Sequence, residues 1–264
     1  MIKVMIAGAY GRMGREVAKA VLAAADMQLA GAVDSVGKGE DVGVLADSNP
    51  AGITISDNLA EEITLTQPDV VVDFTVPKSV YENTMIYLDK GVSPVVGTTG
   101  LSREAIEEII DRSEAVSLGG LIAPNFALGA VLMMRFAAEA ARFFPNVEII
   151  ELHHDQKVDA PSGTALITVE KIMGQRADFQ QGPHNEVENI TGVRGGKLAG
   201  GVRIHSVRLP GLVAHQEVLF GGLGQTLSIR HDTINRESFM PGVLLAIRKV
   251  KELKKIVYGL DNIL

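Results

Sequence analysis

The densest chemistry in the sequence lies between Glu151 and Ala165, which reads Glu-Leu-His-His-Asp-Gln-Lys-Val-Asp-Ala-Pro-Ser-Gly-Thr-Ala. Two adjacent histidines, His153 and His154, and a lysine, Lys157, leave the end of an apolar run. Pro161-Ser162-Gly163-Thr164 then opens a helix. Imidazole can donate or accept a proton near neutral pH. A cluster of cations beside a helix N-terminus suits an anionic ligand, because unpaired N–H groups and the helix dipole both favour negative charge. Gly163 lets a carboxylate approach the backbone, and Thr164 adds a hydroxyl donor. Zinc needs three or four ligands at suitable spacing, and neighbouring histidines on a strand point to opposite sides, so no metal is expected. Ser162 lacks the Gly-x-Ser-x-Gly elbow of a nucleophile.

A second reactive pattern stands at the other end of the chain. Gly8-Ala9-Tyr10-Gly11-Arg12-Met13-Gly14 joins an apolar strand to a helix. Such a turn brings backbone N–H groups to a pyrophosphate. The spacing is Gly-x-x-Gly-x-x-Gly, less specific than Gly-x-Gly-x-x-Gly. Asp34, 20 residues past Gly14, ends the second strand, where an acid binds the adenosine ribose. A carboxylate there favours NADH. Arg12 and Lys38 could neutralise the 2′-phosphate of NADPH, so both cofactors are expected to serve, without a large preference.

These residues need a scaffold. Strand patterns at 2–7, 28–33, 70–72, 94–96 and 116–122 alternate with helical ones at 12–24, after Pro77 and after Ser102. The Ser102 helix would keep Glu107, Glu108 and Arg112 on its wet side. Four strands end in small or polar loops, among them Asp73-Phe74-Thr75, Gly97-Thr98-Thr99-Gly100 and Ala123-Pro124-Asn125-Phe126. Ligands bind beyond the carboxyl ends of strands in an open parallel sheet. After residue 127 the pattern changes to a helix at 127–143, a strand at 147–152, a helix at 162–174 and a polar, glycine-rich, mobile loop at 176–200. Three alternating strands follow at 202–208, 213–220 and 225–231. Pro210-Gly211 and Gly221-Gly222-Leu223-Gly224 separate them and signal antiparallel hairpins. A final helix at about 237–249 has an apolar face (Val243, Leu244, Ile247, Val250) that should pack back on the first domain.

The fold class is therefore α/β. A doubly wound, Rossmann-like dinucleotide-binding domain (1–126 and 234–264) is joined to an α+β domain (127–233) with an open mixed or antiparallel sheet. The second domain binds substrate and, through its uncovered sheet face, a further subunit. The domains imply a closing cleft, with hinges near 126 and 233. The chain carries 25 Lys+Arg against 32 Asp+Glu, a balance of −7 that argues against nucleic acid and membrane surfaces. The absence of cysteine rules out disulfides and permits a cytoplasmic location. The apolar N-terminus runs into a glycine turn and reads as a buried strand, and no apolar run is long enough to cross a bilayer. A two-domain dehydrogenase acting on semialdehydes or sugars would share the turn and Asp34, as would a dinucleotide sensor without catalysis.

The run from His153-His154 through Lys157-Val158-Asp159-Ala160-Pro161-Ser162-Gly163-Thr164-Ala165 resembles the signature of the dihydrodipicolinate reductase family. The Gly8–Gly14 turn, Gly97-Thr98-Thr99-Gly100 and Ala123-Pro124-Asn125-Phe126 are similar to that family's cofactor loops, in the expected order along essentially the whole chain. The resemblance implies reduction of the dihydrodipicolinate ring, derived from 4-hydroxy-tetrahydrodipicolinate by loss of water, in lysine and diaminopimelate biosynthesis. It implies that Gly8, Ala9, Tyr10, Gly11, Arg12, Met13, Asp34, Gly97, Thr98, Thr99, Ala123, Pro124, Asn125 and Phe126 hold NADH or NADPH. It makes His153 the proton donor or acceptor and Lys157 a second donor, with His154, Gly163 and Thr164 on a small heterocyclic dicarboxylate. It also implies a homotetramer. No arginine follows Asp34, which leaves recognition of a 2′-phosphate open.

Overall fold

The computed structural model describes residues 1–176, 181–182 and 185–264. The chain forms two compact units, Met1–Phe126 with Arg236–Leu264, and Ala127–Asn235.

The first unit runs β1 (Ile2–Ala7), α1 (Arg12–Ala23), β2 (Met27–Val33), α2 (Val42–Leu45), α3 (Leu59–Thr66), β3 (Val70–Asp73), α4 (Val80–Asp89), β4 (Ser93–Val96), α5 (Arg103–Ala115) and β5 (Gly120–Ile122). Every residue of β3, β4 and β5 is buried, as expected for strands covered on both faces. Met5, Val71 and Tyr87 belong to one core cluster, and Val80, Val96, Ile109 and Ile122 to another.

The second unit runs α6 (Leu128–Ala140), β6 (Asn146–His153), α7 (Gly163–Met173), β7 (Gly196–Lys197), β8 (Arg203–Arg208), β9 (Ala214–Gly222) and β10 (Gln225–Thr233). The chain then returns to the first unit with α8 (Met240–Lys249) and β11 (Ile256–Tyr258).

The first sheet has the order β11-β5-β4-β3-β1-β2, and all its pairs are parallel. Strand order reverses between β1 and β3, so Gly8 and Phe74 leave adjacent strands at the switch point, where open α/β sheets bind ligands.

Three local expectations need correction, and one short strand was not anticipated. The segment expected as a strand from Val116 starts at Gly120. Val116 caps α5, and Ser117 takes φ 52° while Leu118 donates back to the Ser113 carbonyl at 2.9 Å. The apolar Val116-Ser117-Leu118 run thus belongs to the helix exit, with Leu118 packed on the core. Pro77 sits in a turn closed by the Val76 carbonyl, and α4 begins three residues later. Residues 236–239 form a 3-10 turn before α8, and the edge strand β11 carries too short a pattern to stand out from its polar flanks.

The largest correction concerns the second sheet, whose order is β10-β9-β6-β8-β7. Only β9–β10 is the expected hairpin. β8 and β9 are not neighbours, because β6 lies between them, parallel to β8 and antiparallel to β9. Leu209–Val213, including Pro210-Gly211, crosses the carboxyl end of β6, and the Leu209 N–H donates to the His153 carbonyl at 3.1 Å. Five residues easily span two strand spacings, about 10 Å. Turn residues alone do not distinguish this crossing from a hairpin.

α6 packs on α7 and lies against β9 and β10, while Val147, Ile149, Val218 and Phe220 are buried. On the opposite face Glu148 pairs with Arg194 and His205. Part of the loop expected at 176–200 lies outside the described residues. Its described part contains β7 and a network in which Arg203 binds Glu186.

Candidate active site

In the first unit, Gly8 has φ +83°, and a Cβ there would lie 2.4 Å from the Phe74 carbonyl oxygen. A Cβ on Gly14 would lie 2.1 Å from the Gly8 carbonyl oxygen. Only glycine permits this close turn. The Gly11 N–H donates to the Gly8 carbonyl at 3.2 Å, and Gly11 caps α1 without any side-chain cap. The open N–H groups at that end are the natural seat for a phosphate. Arg15 donates to the Tyr10 carbonyl at 2.9 Å and lies over the Tyr10 ring.

Asp34 leaves β2 beside this turn. One carboxylate oxygen accepts from the Tyr10 N–H at 2.9 Å and the other from the Val36 N–H at 3.1 Å. A cavity of about 490 Å³ opens here, lined by Gly8, Tyr10, Asp34, Val36, Phe74 and Thr75 among others. Lys38 is paired with Asp57 at 2.8 Å, whereas Arg12 is exposed and has no ion pair among the described residues. Ala9 is buried and Met13 half-buried.

The next two loops interlock. A Cβ on Gly97 would strike the Phe74 ring at 2.1 Å, and that ring sits 5.8 Å from the Phe126 ring. Thr98 is buried while Thr99 is exposed. Ala123 is also buried, with Pro124 exposed and Asn125 half-buried. Beneath the loops lies Asp73, fully buried. Its Oδ1 accepts from Thr75 N–H (2.9 Å), Thr75 Oγ1 (2.6 Å) and Thr98 Oγ1 (2.9 Å), and its Oδ2 from Tyr87 OH (2.8 Å) and Asn83 Nδ2 (3.2 Å). Sequence reasoning gave Asp73 no role, although an acid closing an all-apolar strand is a signal.

In the second unit, β6 alternates, so Glu151 and His153 share a face, and His154 follows directly after the strand's last residue. The His153 side chain is 14% exposed, and its Nδ1 lies 2.5 Å from Glu151 Oε2. Glu151 is fully buried and accepts both ends of the Arg208 guanidinium, from Nη1 at 3.0 Å and from Nη2 at 2.8 Å. Burial raises the Glu151 carboxyl, but the bonds from Arg208, Ser206 and His153 outweigh it and hold its pKa below the usual value. Burial lowers the His153 pKa, opposed by Glu151. Lys157 pairs with Asp159 at 2.7 Å, and His154 is exposed. Ser162 caps α7 by accepting from the Ala165 N–H at 3.2 Å, and no atom lies within 4 Å of a Cβ built on Gly163. The helix start is therefore tied down by its cap while the space over Gly163 stays open. Glu151 and Arg208 were missed from sequence. The i, i+2 spacing of Glu151 and His153 could have found the first, but Arg208 reaches it only through the β6–β8 pairing.

The N-terminal model of the dihydrodipicolinate reductase family matches residues 2–126 and the C-terminal model residues 129–264. The chain belongs to the dihydrodipicolinate reductase family. It is 55% identical over 264 residues to a 4-hydroxy-tetrahydrodipicolinate reductase of Desulfitobacterium hafniense, covering 100% of this chain and 98% of the relative. It is 52% identical to that of Listeria monocytogenes, covering 100% of both. Among solved structures, a dipicolinate-bound dihydrodipicolinate reductase from Paenisporosarcina sp. TG-14 superposes with a TM-score of 0.90 at 47% identity, covering 100% of both chains. An amine dehydrogenase from Mycobacterium smegmatis, at 15% identity and a TM-score of 0.69 over 98% of this chain and 95% of its own, shares the fold alone. This dihydrodipicolinate reductase family member is thus a pyridine-nucleotide-dependent oxidoreductase, and the Gly8–Gly14 cradle, the uncapped α1 and Asp34 fit such a cofactor.

Proposed function

We propose that the chain reduces the dihydrodipicolinate ring, formed from 4-hydroxy-tetrahydrodipicolinate by loss of water, to tetrahydrodipicolinate, and that NADH and NADPH both serve. This is the reductive step of lysine and diaminopimelate biosynthesis. The observation that carries the substrate assignment is the bend after β6. There a buried ion pair holds His153, Lys157 stands on the following turn, and the start of α7 is open over Gly163.

The ring carries two carboxylates. Backbone N–H groups at Gly163 and Thr164, the Thr164 hydroxyl, the His154 imidazole and the Lys157 ammonium hold them, since helix N-termini and hydrogen-bond donors both attract anions. A bound pyridine nucleotide would supply the hydride for ring C4. Gly8, Ala9, Tyr10, Gly11, Arg12 and Met13 take its pyrophosphate and Asp34 its ribose. Gly97, Thr98, Thr99 and Ala123 to Phe126 take the remainder. Arg12 is the exposed cation that offsets a 2′-phosphate, since Lys38 is engaged by Asp57.

Addition to the conjugated ring pushes an electron pair toward the ring nitrogen. The resulting enamine-like anion gains a proton at the α-carbon. His153 delivers that proton, and Lys157 stabilises the developing charge as a second donor. General acid assistance contributes about 10²–10⁴-fold. The enzyme works in the cytoplasm as a homotetramer that buries the exposed face of the second unit's sheet. Among the described residues no helix is long and apolar enough to cross a membrane.

A coupled assay tests this reading. The substrate is generated by a synthase from pyruvate and aspartate semialdehyde, and NAD(P)H absorbance is followed. Loss of absorbance that depends on this protein supports the assignment, and its absence with both nucleotides removes it.

A further inference from the structure

One buried carboxylate touches the groups that position both proton-handling residues. Glu151 Oε2 meets His153 Nδ1, and both its oxygens accept from Arg208. Nη2 of the same Arg208 also donates to the Asp159 carbonyl at 2.6 Å, and the Asp159 side chain holds Lys157. Arg208 and Glu151 sit on adjacent strands, β8 and β6, whose register pairs His153 with Arg208.

An ionised carboxylate has no proton to donate, so the nitrogen bonded to it must carry one. The guanidinium fork and the Ser206 hydroxyl keep Glu151 ionised. Nδ1 of His153 is therefore the N–H end of the neutral ring, and Nε2 is the end that takes up or gives up a proton. The charged groups acting on the imidazole are Glu151 from β6, Arg208 from β8 and Lys157 from the bend. Its register neighbour on β9, Ala214, carries none.

We propose that the Glu151–Arg208 pair is a positioning device for the reaction. It locks His153 in the Nδ1–H tautomer so that Nε2 exchanges the substrate proton, and through the Asp159 carbonyl it sets the bend that carries Lys157. Glu151 and Arg208 are positioning residues. The proposal rests on the reading of His153 as the proton-handling group.

Three measurements test it. Neutron diffraction from deuterium-exchanged wild-type crystals at pH 8 should show deuterium on His153 Nδ1. A bare Nδ1 overturns the proposal, whatever the chemistry of His153. In Glu151→Gln the amide can donate to Nδ1 and reverse the tautomer. A carboxylate-to-amide change behind a catalytic histidine costs about 10⁴-fold in the serine protease triad, so a kcat loss of about 10²–10⁴-fold is expected here. The pH limb belonging to His153 should also move down by about one unit or more, because the imidazolium loses its counter-charge. A purely structural pair would lower stability and scale kcat without moving that limb, and this result overturns the proposal. Arg208→Lys keeps the charge but loses the fork, so substrate KM should rise about tenfold with a smaller shift of the limb. An unchanged KM overturns the part concerning the bend. If Glu151→Gln does not fold, the neutron map and Arg208→Lys still decide. Failure of the His153 reading would show separately, as full turnover in His153→Ala.

Discussion

Asp73→Asn probes how the nucleotide loops are held. The wild-type carboxylate is fully buried and accepts five bonds, all from neutral donors. An asparagine has one acceptor oxygen. If its nitrogen takes the Oδ1 place, it faces the Thr75 N–H, which cannot reverse. Its nitrogen must therefore turn toward Tyr87 and Asn83, whose hydroxyl and amide can rotate to accept. The Thr75 and Thr98 bonds survive but lose their charge, each by about 1 kcal/mol, since bonds to charged groups contribute about 1.5–3 kcal/mol and neutral ones about 0.5–1.5. Relief from burying a charge offsets part of this. A net destabilisation of about 1–3 kcal/mol follows, or a fall in Tm of roughly 2–12 °C at about 2–4 °C per kcal/mol for a unit of this size. Thr75 lines the cavity beside Asp34, and Thr98 lies in the Gly97–Gly100 loop. Looser loops should therefore weaken NADH binding about tenfold, a loss of about 1.4 kcal/mol. Calorimetry and NADH fluorescence titration read the two effects. Tyr87→Phe, which touches the carboxylate from the far side, should lower Tm with little change in NADH affinity. Asp73→Asn with unchanged Tm and unchanged affinity would refute the reasoning.

His153→Ala should lower kcat by about 10²–10⁴-fold while NADH affinity, measured by titration, stays within a few-fold; equal losses in both would remove its role. Lys157→Ala should lower kcat and raise substrate KM together, because one cation serves both. Kinetic efficiencies with NADH and NADPH should differ by well under about 1000-fold, a gap of about 4 kcal/mol that would need a dedicated phosphate site. Stability of the second unit should fall in acid. Glu148 and Glu151 have depressed folded pKa values, so their contribution is present above the ordinary value of 4.5 and is lost as the pH drops through the folded ones. His153, also depressed, adds to the same trend below its ordinary value of 6.5. Chemical denaturation at pH 7.5 and pH 4 measures the difference, and equal midpoints would contradict it.

The parts of the fold legible in the sequence are those fixed by local chemistry. Gly8 and Gly14 announce a turn that only glycine can make, and Ser162 announces the start of α7. The continuous apolar runs of β1 and β3 announce a sheet covered on both sides. What escaped depends on long-range pairing. Nothing near Pro210-Gly211 reveals that β6 lies between β8 and β9, and so nothing near Arg208 reveals that it faces Glu151. Val116 to Leu118 read as strand because an apolar helix exit and a short strand have the same composition. Asp73 was visible as a strand end, but its five donors come from β3's own exit, α4 and the loop after β4, which only the folded sheet assembles.

The bend from His153 to Thr164 is proposed to receive the dicarboxylated ring. A crystal of this protein soaked with dipicolinate tests it most directly. One carboxylate is expected on the Gly163 and Thr164 N–H groups, with Lys157 beside the ring and His153 Nε2 turned toward it. A ring bound away from α7's first turn, or His153 turned out of the site, would contradict it.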